Sequence, residues 1–177
     1  RSFGLPEVAE YWHQVIVMND WQKKRFAQNM VASMFNTVSG KKIGILGFAF
    51  KKDTGDTRET PAIDVCGLLL EEKAKLAIHD PKVSREQIYS DLGQGSLDKI
   101  EIDDDPYVTC AGAHAIAILT EWDAFKTLDY ERIYASMQKP AFVFDGRNIV
   151  DPQKLQKIGF QVWAVGKALN MPAVDAM

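Results

Sequence analysis

The amino-acid sequence predicts an α/β fold, in which a long connector helix precedes a doubly wound parallel sheet. Two observations lead to this fold class. After residue 40, short apolar segments alternate with longer amphipathic ones, which is typical of strand–helix–strand units whose strands pair in parallel. Before residue 40, apolar residues recur at steps of mostly three and four, which is typical of one continuous helix.

The long helix is predicted to run from Pro6 to about Val38. Pro6 suits a first helical turn, and neither proline nor glycine follows until Gly40 ends the segment. About thirty helical residues span roughly 45 Å, which is too long for a helix inside a small domain. A connector to further chain or a subunit interface is therefore favoured over a helix packed on its own domain. The start at Arg1 rather than at a methionine leads us to expect a piece of a longer protein.

Five or six strands are predicted from short apolar segments. The first, KIGILGFAF, carries no charge after its opening lysine and is typical of a strand buried on both faces. The segment Lys99–Asp103 is predicted either as a strand or as a loop. In chain order the predicted strands are Lys42–Phe50, Lys75–His79, Lys99–Asp103, Ala113–Leu119, Ala141–Phe144 and Phe160–Val165.

The helices between these strands are predicted from their N-terminal residues. Each begins at a serine, threonine or aspartate, whose side chain can accept a hydrogen bond from the first helical turn. The segment Ser90–Lys99 is polar and contains glycine, so it is predicted as a loop or a variable insertion. Parallel strands joined by right-handed crossovers then give a Rossmann-like sheet. The predicted helix starts are Thr60, Ser84, Asp105, Asp129 and Asp151.

The composition argues against several classes of protein. The chain has 177 residues, of which 46% are apolar, 10% aromatic and 25% charged, as in globular proteins. A net charge of −3 argues against nucleic-acid binding, and no apolar run approaches the roughly 20 residues that span a membrane. No basic-then-apolar leader opens the sequence. We expect a cytoplasmic protein in which Cys66 and Cys110 are buried free thiols.

Candidate binding residues follow the strands, because ligands bind beyond the carboxyl ends of a parallel sheet. The loop after the first strand contains neither G-x-G-x-x-G nor a Walker pattern, but it places Lys51, Lys52 and Arg58 ahead of a helix N-terminus. Arg147 follows a later strand. These cations and the helix amides favour an anion such as a diphosphate, the alternative being ordinary surface cations. The acidic run 103–105 is interpreted as a solvated turn, and no metal site is predicted.

Several longer motifs carry a resemblance to a known family. The loop from Gly47 to Thr60 reads GFAFKKDTGDTRET, and the motifs DPKV, LTEWD, LDY and FDGR follow it in order. Together they resemble the C-terminal, UDP-binding domain of the UDP-glucose 6-dehydrogenases, within the UDP-glucose/GDP-mannose dehydrogenase family. The resemblance covers nearly the whole chain. The segment KDTGDT resembles the eukaryotic branch, and ETPAIDVC and RNI resemble plant members.

The resemblance implies a catalytic activity for the whole protein. Enzymes of this family oxidise UDP-glucose to UDP-glucuronate in two NAD-dependent steps through a cysteine adduct. They combine an N-terminal NAD-binding domain, a central helix and a UDP-binding domain. By the same resemblance, residues 1–39 are the central connector and dimerisation helix, and residues 40–177 are the UDP-binding domain. The implied partners are UDP-glucose and further subunits, in a dimer through the long helix with a hexamer left open.

The resemblance also assigns roles to individual residues. Phe50 and Lys51 correspond to the substrate loop, Arg147 to a substrate-binding residue, and Arg58 to a residue that approaches NAD. No catalytic residue carries over, because the family's glycine-rich cysteine motif is absent from this sequence. The chain alone is therefore expected to be inactive, with NAD bound mostly by the N-terminal domain. The alternative is a stand-alone, non-catalytic nucleotide-binding or assembly module.

Overall fold

The computed structural model describes residues 4–167 and shows six parallel strands in one sheet. The strand order is β3-β2-β1-β4-β5-β6, so the chain starts in the middle, winds to one edge and then fills the other half. The winding reverses between β1 and β4, which is where ligands bind in doubly wound sheets. The strands are β1 (Lys42–Leu46), β2 (Lys75–His79), β3 (Ile100–Ile102), β4 (Ala115–Ile118), β5 (Phe142–Asp145) and β6 (Gln161–Ala164).

The helices confirm the doubly wound α/β fold. Each connection between neighbouring strands of the sequence contains helix, and the predicted N-terminal residues Thr60, Ser84, Asp105, Asp129 and Asp151 all accept a hydrogen bond from a main-chain amide of the first turn. In chain order the helices are α1 (Pro6–Ser33), α2 (Pro61–Glu71), α3 (Arg85–Leu92), α4 (Pro106–Cys110), α5 (Asp123–Lys126), α6 (Tyr130–Ser136) and α7 (Pro152–Ile158).

The first strand is shorter than the sequence predicts. It ends at Leu46 rather than at Phe50. Gly47 has a φ of +93°, and a Cβ placed there would lie 2.4 Å from the Cβ of Thr120. This left-handed turn brings the chain against the segment after β4, so the apolar run continues as a buried loop instead of a strand.

The long helix also ends earlier than predicted, at Ser33 rather than near Val38. Phe35 and Asn36 have φ values of 65° and 57°, and the left-handed backbone ends the helical path. The final part of α1 packs on the sheet, where Phe26 lies edge-on to Trp163 at 5.3 Å. The C-terminal half of α1 is therefore held against the sheet, and the turn at Phe35 and Asn36 follows it.

The first part of α1 is exposed along its length. Lys23 connects the middle of the helix to α2, since its Nζ lies 2.6 Å from a carboxylate oxygen of Asp64. The division into residues 1–39 and 40–177 stays a prediction, and residues 1–3 and 168–177 lie outside the described part. Exposed large apolar residues near and within the first half of α1 are Leu5, Val8, Tyr11, Trp12, Val15, Ile16, Val17, Met18 and Trp21.

Two short elements were not predicted. The segment Ser90–Lys99, predicted as a loop, contains the end of α3 and a 3-10 helix at Gln94–Lys99. The single turn of α5 was missed because four residues are too few to show a helical period. Neither difference moves a strand of the sheet.

Candidate functional site

The loops that follow β1, β4 and β5 are joined by the side chain of Arg147. Its Nε donates a hydrogen bond to the carbonyl oxygen of Leu119 at 2.7 Å, and its Nη2 donates to the carbonyl oxygen of Phe50 at 2.9 Å. The side chain is 29% exposed. The structure therefore brings together two of the residues that the sequence selected, Phe50 and Arg147, at the carboxyl edge of the sheet.

The turn that presents Arg147 is fixed by its two preceding residues. Asp145 is fully buried, and its two carboxylate oxygens accept from the amides of Arg147 at 2.9 Å and Val150 at 3.0 Å. A Cβ on Gly146 would lie 3.0 Å from the carbonyl oxygen of Ile118 and 3.3 Å from the ring of Phe26. The Asp-Gly-Arg order thus supplies a buried acceptor, a close approach of α1, and a cation.

The carboxylate of Glu121 lies next to the guanidinium of Arg147 and compensates its positive charge. Its Oε2 lies 3.3 Å from Nε of Arg147, but that N–H points at Leu119, so the two groups attract without a hydrogen bond. Its Oε1 accepts from the amide of Lys52 at 3.3 Å. Within residues 4–167, Nη1 of Arg147 has no protein acceptor. The guanidinium is held in place and still has donors for a ligand.

A cleft of about 510 Å³ lies between these loops and α1. Its size falls within the range of roughly 300–1,000 Å³ that small-molecule sites occupy. Its lining contains both apolar and polar groups, and Nε2 of Gln22 is buried there without a hydrogen-bond partner among the described residues. The loops contribute Phe50, Leu119, Gly146 and Arg147, and α1 contributes Asn19 and Gln22 among others.

The other predicted cations do not line this cleft, although Lys51 directly follows the lining residue Phe50. Nζ of Lys52 lies 2.7 Å from Asp123, so this lysine is paired within the protein. Arg58 donates from Nε and Nη2 to the carboxylate of Asp56, and these hydrogen bonds lower the pKa of Asp56 to about 2. Lys51 is exposed and makes no ion pair with any described residue. Lys51 and Arg58 are absent from the described lining of the cleft.

Some main-chain amides near the cleft donate to side chains of the protein. At the start of α2, the Thr60 side chain accepts from the amide of Ala62, and Pro61 has no N–H. After β1, the amides of Phe48 and Ala49 donate to the carboxylate of Asp80. Of the first residues of α2, Ala62 therefore has its amide occupied and Pro61 has none to offer, and the use of the remaining helix amides for an anion stays a prediction.

Neither cysteine is placed for chemistry. Cys66 and Cys110 are both free and fully buried. Burial raises the pKa of the Cys66 thiol well above its usual range and that of Cys110 to about 12. Both remain protonated thiols near neutral pH, which is unsuitable for a nucleophile.

The described residues form neither a metal-ion site of three or more His, Cys, Asp or Glu side chains nor a membrane-spanning helix. Between residues 4 and 167, no three His, Cys, Asp or Glu side chains are grouped so that they could hold a metal ion. Over the same residues, none of the helices combines the length and the apolar character needed to cross a membrane.

The sequence matches the profile of one known protein family. The profile described as "UDP-glucose/GDP-mannose dehydrogenase family, UDP binding domain" matches residues 44–152. The chain belongs to this family. The matched segment contains all four residues selected from the sequence, Phe50, Lys51, Arg58 and Arg147.

Curated relatives of this dehydrogenase family extend the match along nearly the whole chain. UDP-glucose 6-dehydrogenase 5 of Oryza sativa subsp. japonica is 58% identical over 192 aligned positions, which cover 97% of this chain and 40% of the relative. UDP-glucose 6-dehydrogenase 1 of Glycine max has the same identity and the same coverage. The chain therefore spans about 40% of the length of these relatives. The resemblance to the plant members of the family is confirmed.

Solved structures of the same dehydrogenase family share the fold. NDP-N-acetyl-D-galactosaminuronic acid dehydrogenase from Methanosarcina mazei Go1 superposes with a TM-score of 0.72 at 27% identity, covering 84% of this chain and 30% of that protein. A UDP-glucose dehydrogenase from Pyrobaculum islandicum gives a TM-score of 0.63 at 25% identity, covering 83% and 32%. The match in each case is to about a third of a longer dehydrogenase.

Sequence reasoning gave no role to three residues that shape this site. Asp80 appeared in the sequence analysis only within the motif DPKV, although it accepts hydrogen bonds from two loops. Glu121 appeared only within the motif LTEWD, and Gln22 was not considered. Their positions carried a weak signal, since Asp80 and Glu121 follow strands, but the loop amides that donate to them are 31 to 69 residues away in sequence.

Proposed function

We propose that this chain is the UDP-sugar-binding part of an NAD-dependent UDP-glucose 6-dehydrogenase, which oxidises UDP-glucose to UDP-glucuronate. The matching profile is that of a UDP-binding domain, and relatives at 58% identity are UDP-glucose 6-dehydrogenases. The single structural observation that carries the proposal is that Phe50 and Arg147 line one cleft and are hydrogen-bonded to each other.

The proposed roles follow from charge and shape. The free N–H groups of Arg147 and the exposed ammonium of Lys51 are suited to the diphosphate, since cations form charge-assisted hydrogen bonds with phosphate oxygens. Phe50 is 45% exposed, so its ring offers an apolar surface to the remainder of the ligand. Phe50, Lys51 and Arg147 are therefore proposed as substrate-binding residues.

NAD would be held mostly by residues outside this chain. When bound, it accepts the hydride in such oxidations. The residues present do not fit a dinucleotide's pyrophosphate, because the loop after β1 has no glycine fingerprint and its amides at Phe48 and Ala49 are used by Asp80. Arg58, whose side chain is 87% exposed, is the residue of this chain proposed to approach NAD.

The nucleophile would also come from outside this chain. Burial raises the pKa of Cys66 and Cys110 and keeps both thiols away from the cleft lining. The 177-residue chain is accordingly proposed to bind UDP-sugars without turning them over. Two buried free thiols also support a location in the reducing cytoplasm.

The exposed apolar part of α1 supports assembly with a second copy. Tyr11 and Trp12 are 70% and 64% exposed, and side chains of this size on a helix surface favour an interface. We propose that residues 1–39 form a dimerisation helix, that residues 40–177 form the UDP-binding domain, and that a hexamer is a further assembly to be tested. This surface is also the observation that favours the alternative, an assembly module without chemistry.

Titration calorimetry with UDP tests the proposed function. The chain should bind UDP, and Arg147→Met should weaken binding about tenfold or more, as expected for a lost charge-assisted contact. Arg132→Met is the matched control, because Arg132 lies on α6 against Tyr107 and does not line the cleft. Its affinity for UDP should be unchanged.

Two outcomes separate the candidates. A chain that dimerises in analytical ultracentrifugation but binds no UDP contradicts the binding function and favours the assembly module. Incubation of the chain with UDP-glucose and NAD should give no NADH. NADH formation that is lost on replacing Cys66 or Cys110 by serine would contradict the assignment of the nucleophile.

A further inference from the structure

A single carboxylate oxygen organises the loops after β1 and β4. Oδ2 of Asp80, at the end of β2, accepts from the amide of Phe48 at 2.7 Å and from the amide of Ala49 at 3.0 Å. It also accepts from Nε1 of Trp122 at 3.1 Å. Three donors from two different loops therefore converge on one oxygen atom.

The second oxygen of the same carboxylate fixes its own loop. Oδ1 of Asp80 accepts from the amide of Lys82 at 2.9 Å and from that of Val83 at 3.0 Å. Both oxygens are thus used, and the carboxylate cannot rotate without breaking bonds on both sides. Asp80 connects the carboxyl ends of β1, β2 and β4.

This arrangement differs from that of a dinucleotide-binding sheet. There, the amides after the first strand point at the pyrophosphate of the ligand. Here the negative charge facing the amides of Phe48 and Ala49 belongs to the protein. A ligand phosphate is therefore directed away from these amides and towards the neighbouring cleft.

The position of the cleft lining depends on the same contacts. Ala49 is held on both sides, because its N–H donates to Asp80 and its carbonyl accepts from Oγ1 of Thr120 at 2.6 Å. The next residue is Phe50, whose carbonyl oxygen accepts from Arg147. A shift of Ala49 would be passed directly to the atom that Arg147 binds.

We propose that Asp80 is a positioning residue of the cleft: by holding the Phe48–Ala49 segment, it places the Phe50 carbonyl where Arg147 reaches it. The role in ligand binding rests on the proposed function, whereas the placement of Arg147 is a property of the chain itself. The two can be measured separately.

Asp80→Asn is the direct test. The asparagine keeps the size of the side chain, but one of its two acceptor sites becomes an NH2 group facing N–H donors. In the unliganded chain, hydrogen exchange of the Arg147 Nε–H, measured by NMR, should become at least about tenfold faster. Affinity for UDP, measured by calorimetry at a temperature where the variant is folded, should fall at least about fivefold.

Asp151→Ala is the control for a general loss of stability, because alanine removes a helix cap that asparagine would keep. The carboxylate of Asp151 also accepts from two main-chain amides, those of Gln153 and Lys154, but it caps α7 and does not line the cleft. The variant should lower the melting temperature while leaving UDP affinity and the exchange of the Arg147 Nε–H unchanged. A general loss of stability would therefore not imitate a loss of positioning.

Asp80→Glu covers the case in which the asparagine variant does not fold. It keeps the charge and both acceptor oxygens but moves them by one methylene, so it should accelerate exchange at Arg147 at least about threefold. Unchanged exchange at Arg147 in the folded variants overturns the proposal. If the unaltered chain binds no UDP, the proposed function fails, and the exchange measurement still decides the role of Asp80.

Discussion

Arg147→Met should destabilise the chain as well as weaken ligand binding. Methionine keeps much of the apolar stem of the side chain but removes the donors to Leu119 at 2.7 Å and to Phe50 at 2.9 Å. It also removes the positive charge next to Glu121. The three loops at the carboxyl edge of the sheet are then no longer connected by one side chain.

The size of this effect can be worked from the two hydrogen bonds. Each bond to a charged donor contributes about 1.5–3 kcal/mol, and because the side chain is 29% exposed, water replaces part of what is lost. We expect the free energy of unfolding to fall by about 2–3 kcal/mol in urea denaturation. For a domain of this size that lowers the melting temperature by roughly 4–12 °C.

Two further variants make this measurement decisive. Arg132→Met removes a cation–π contact at 4.1 Å from Tyr107 and should cost only about 0.5–1 kcal/mol. In a Glu121→Gln background, Arg147→Met should cost less, because no uncompensated carboxylate remains. If Arg147→Met lowers the free energy of unfolding by no more than Arg132→Met does, Arg147 does not connect the loops as described.

Three other changes give clear expectations. Lys51→Ala should weaken UDP-glucose binding by about 1.5–3 kcal/mol in calorimetry. The melting temperature should change little, since Lys51 is exposed and makes no ion pair among the described residues. A collapsed melting temperature with unchanged affinity would show a structural role. Gly47→Ala should lower the free energy of unfolding, measured in urea, by about 2–5 kcal/mol, because a Cβ would lie 2.4 Å from the Cβ of Thr120 in a backbone with φ +93°. Gly40→Ala is the control, since its φ is +71° and its surroundings are open, and it should lower the free energy of unfolding by about 1 kcal/mol. Equal losses would argue against the close approach at Gly47. Asp56 should titrate by NMR near pH 2, because hydrogen bonds from Arg58 lower its pKa to about 2. Its stabilising contribution is therefore fully present above about pH 4 and is lost as the pH falls towards 2. Arg58→Ala should raise the pKa of Asp56 only part of the way to its ordinary value, because the amide of residue 58 still donates to the carboxylate.

The parts of the fold that sequence predicted well depend on neighbours in the chain. Helix starts at Thr60, Ser84, Asp105, Asp129 and Asp151 were found because capping uses residues two or three positions apart. The parallel pairing of the strands was predicted correctly, because strands that alternate with helices favour it.

The parts that sequence predicted poorly depend on distant contacts. The run after Leu46 is apolar enough for a strand, but Asp80 and Thr120 hold it as a loop from 31 and 71 residues away. The meeting of Phe50 and Arg147 was expected only as convergence on one edge, and the resemblance assigned their roles. Arg58 was grouped with the diphosphate cations on position alone, but it turns back to Asp56.

An amide chemical-shift map of the 177-residue chain titrated with UDP tests the central claim most directly. The account predicts saturable changes concentrated at Phe50, Leu119, Gly146 and Arg147, the loop residues that line the cleft. At a UDP concentration near the dissociation constant of the unaltered chain, Arg147→Met should reduce these changes several-fold. Saturable changes confined to the groove between α6 and α7, or no changes at any UDP concentration, would contradict the account.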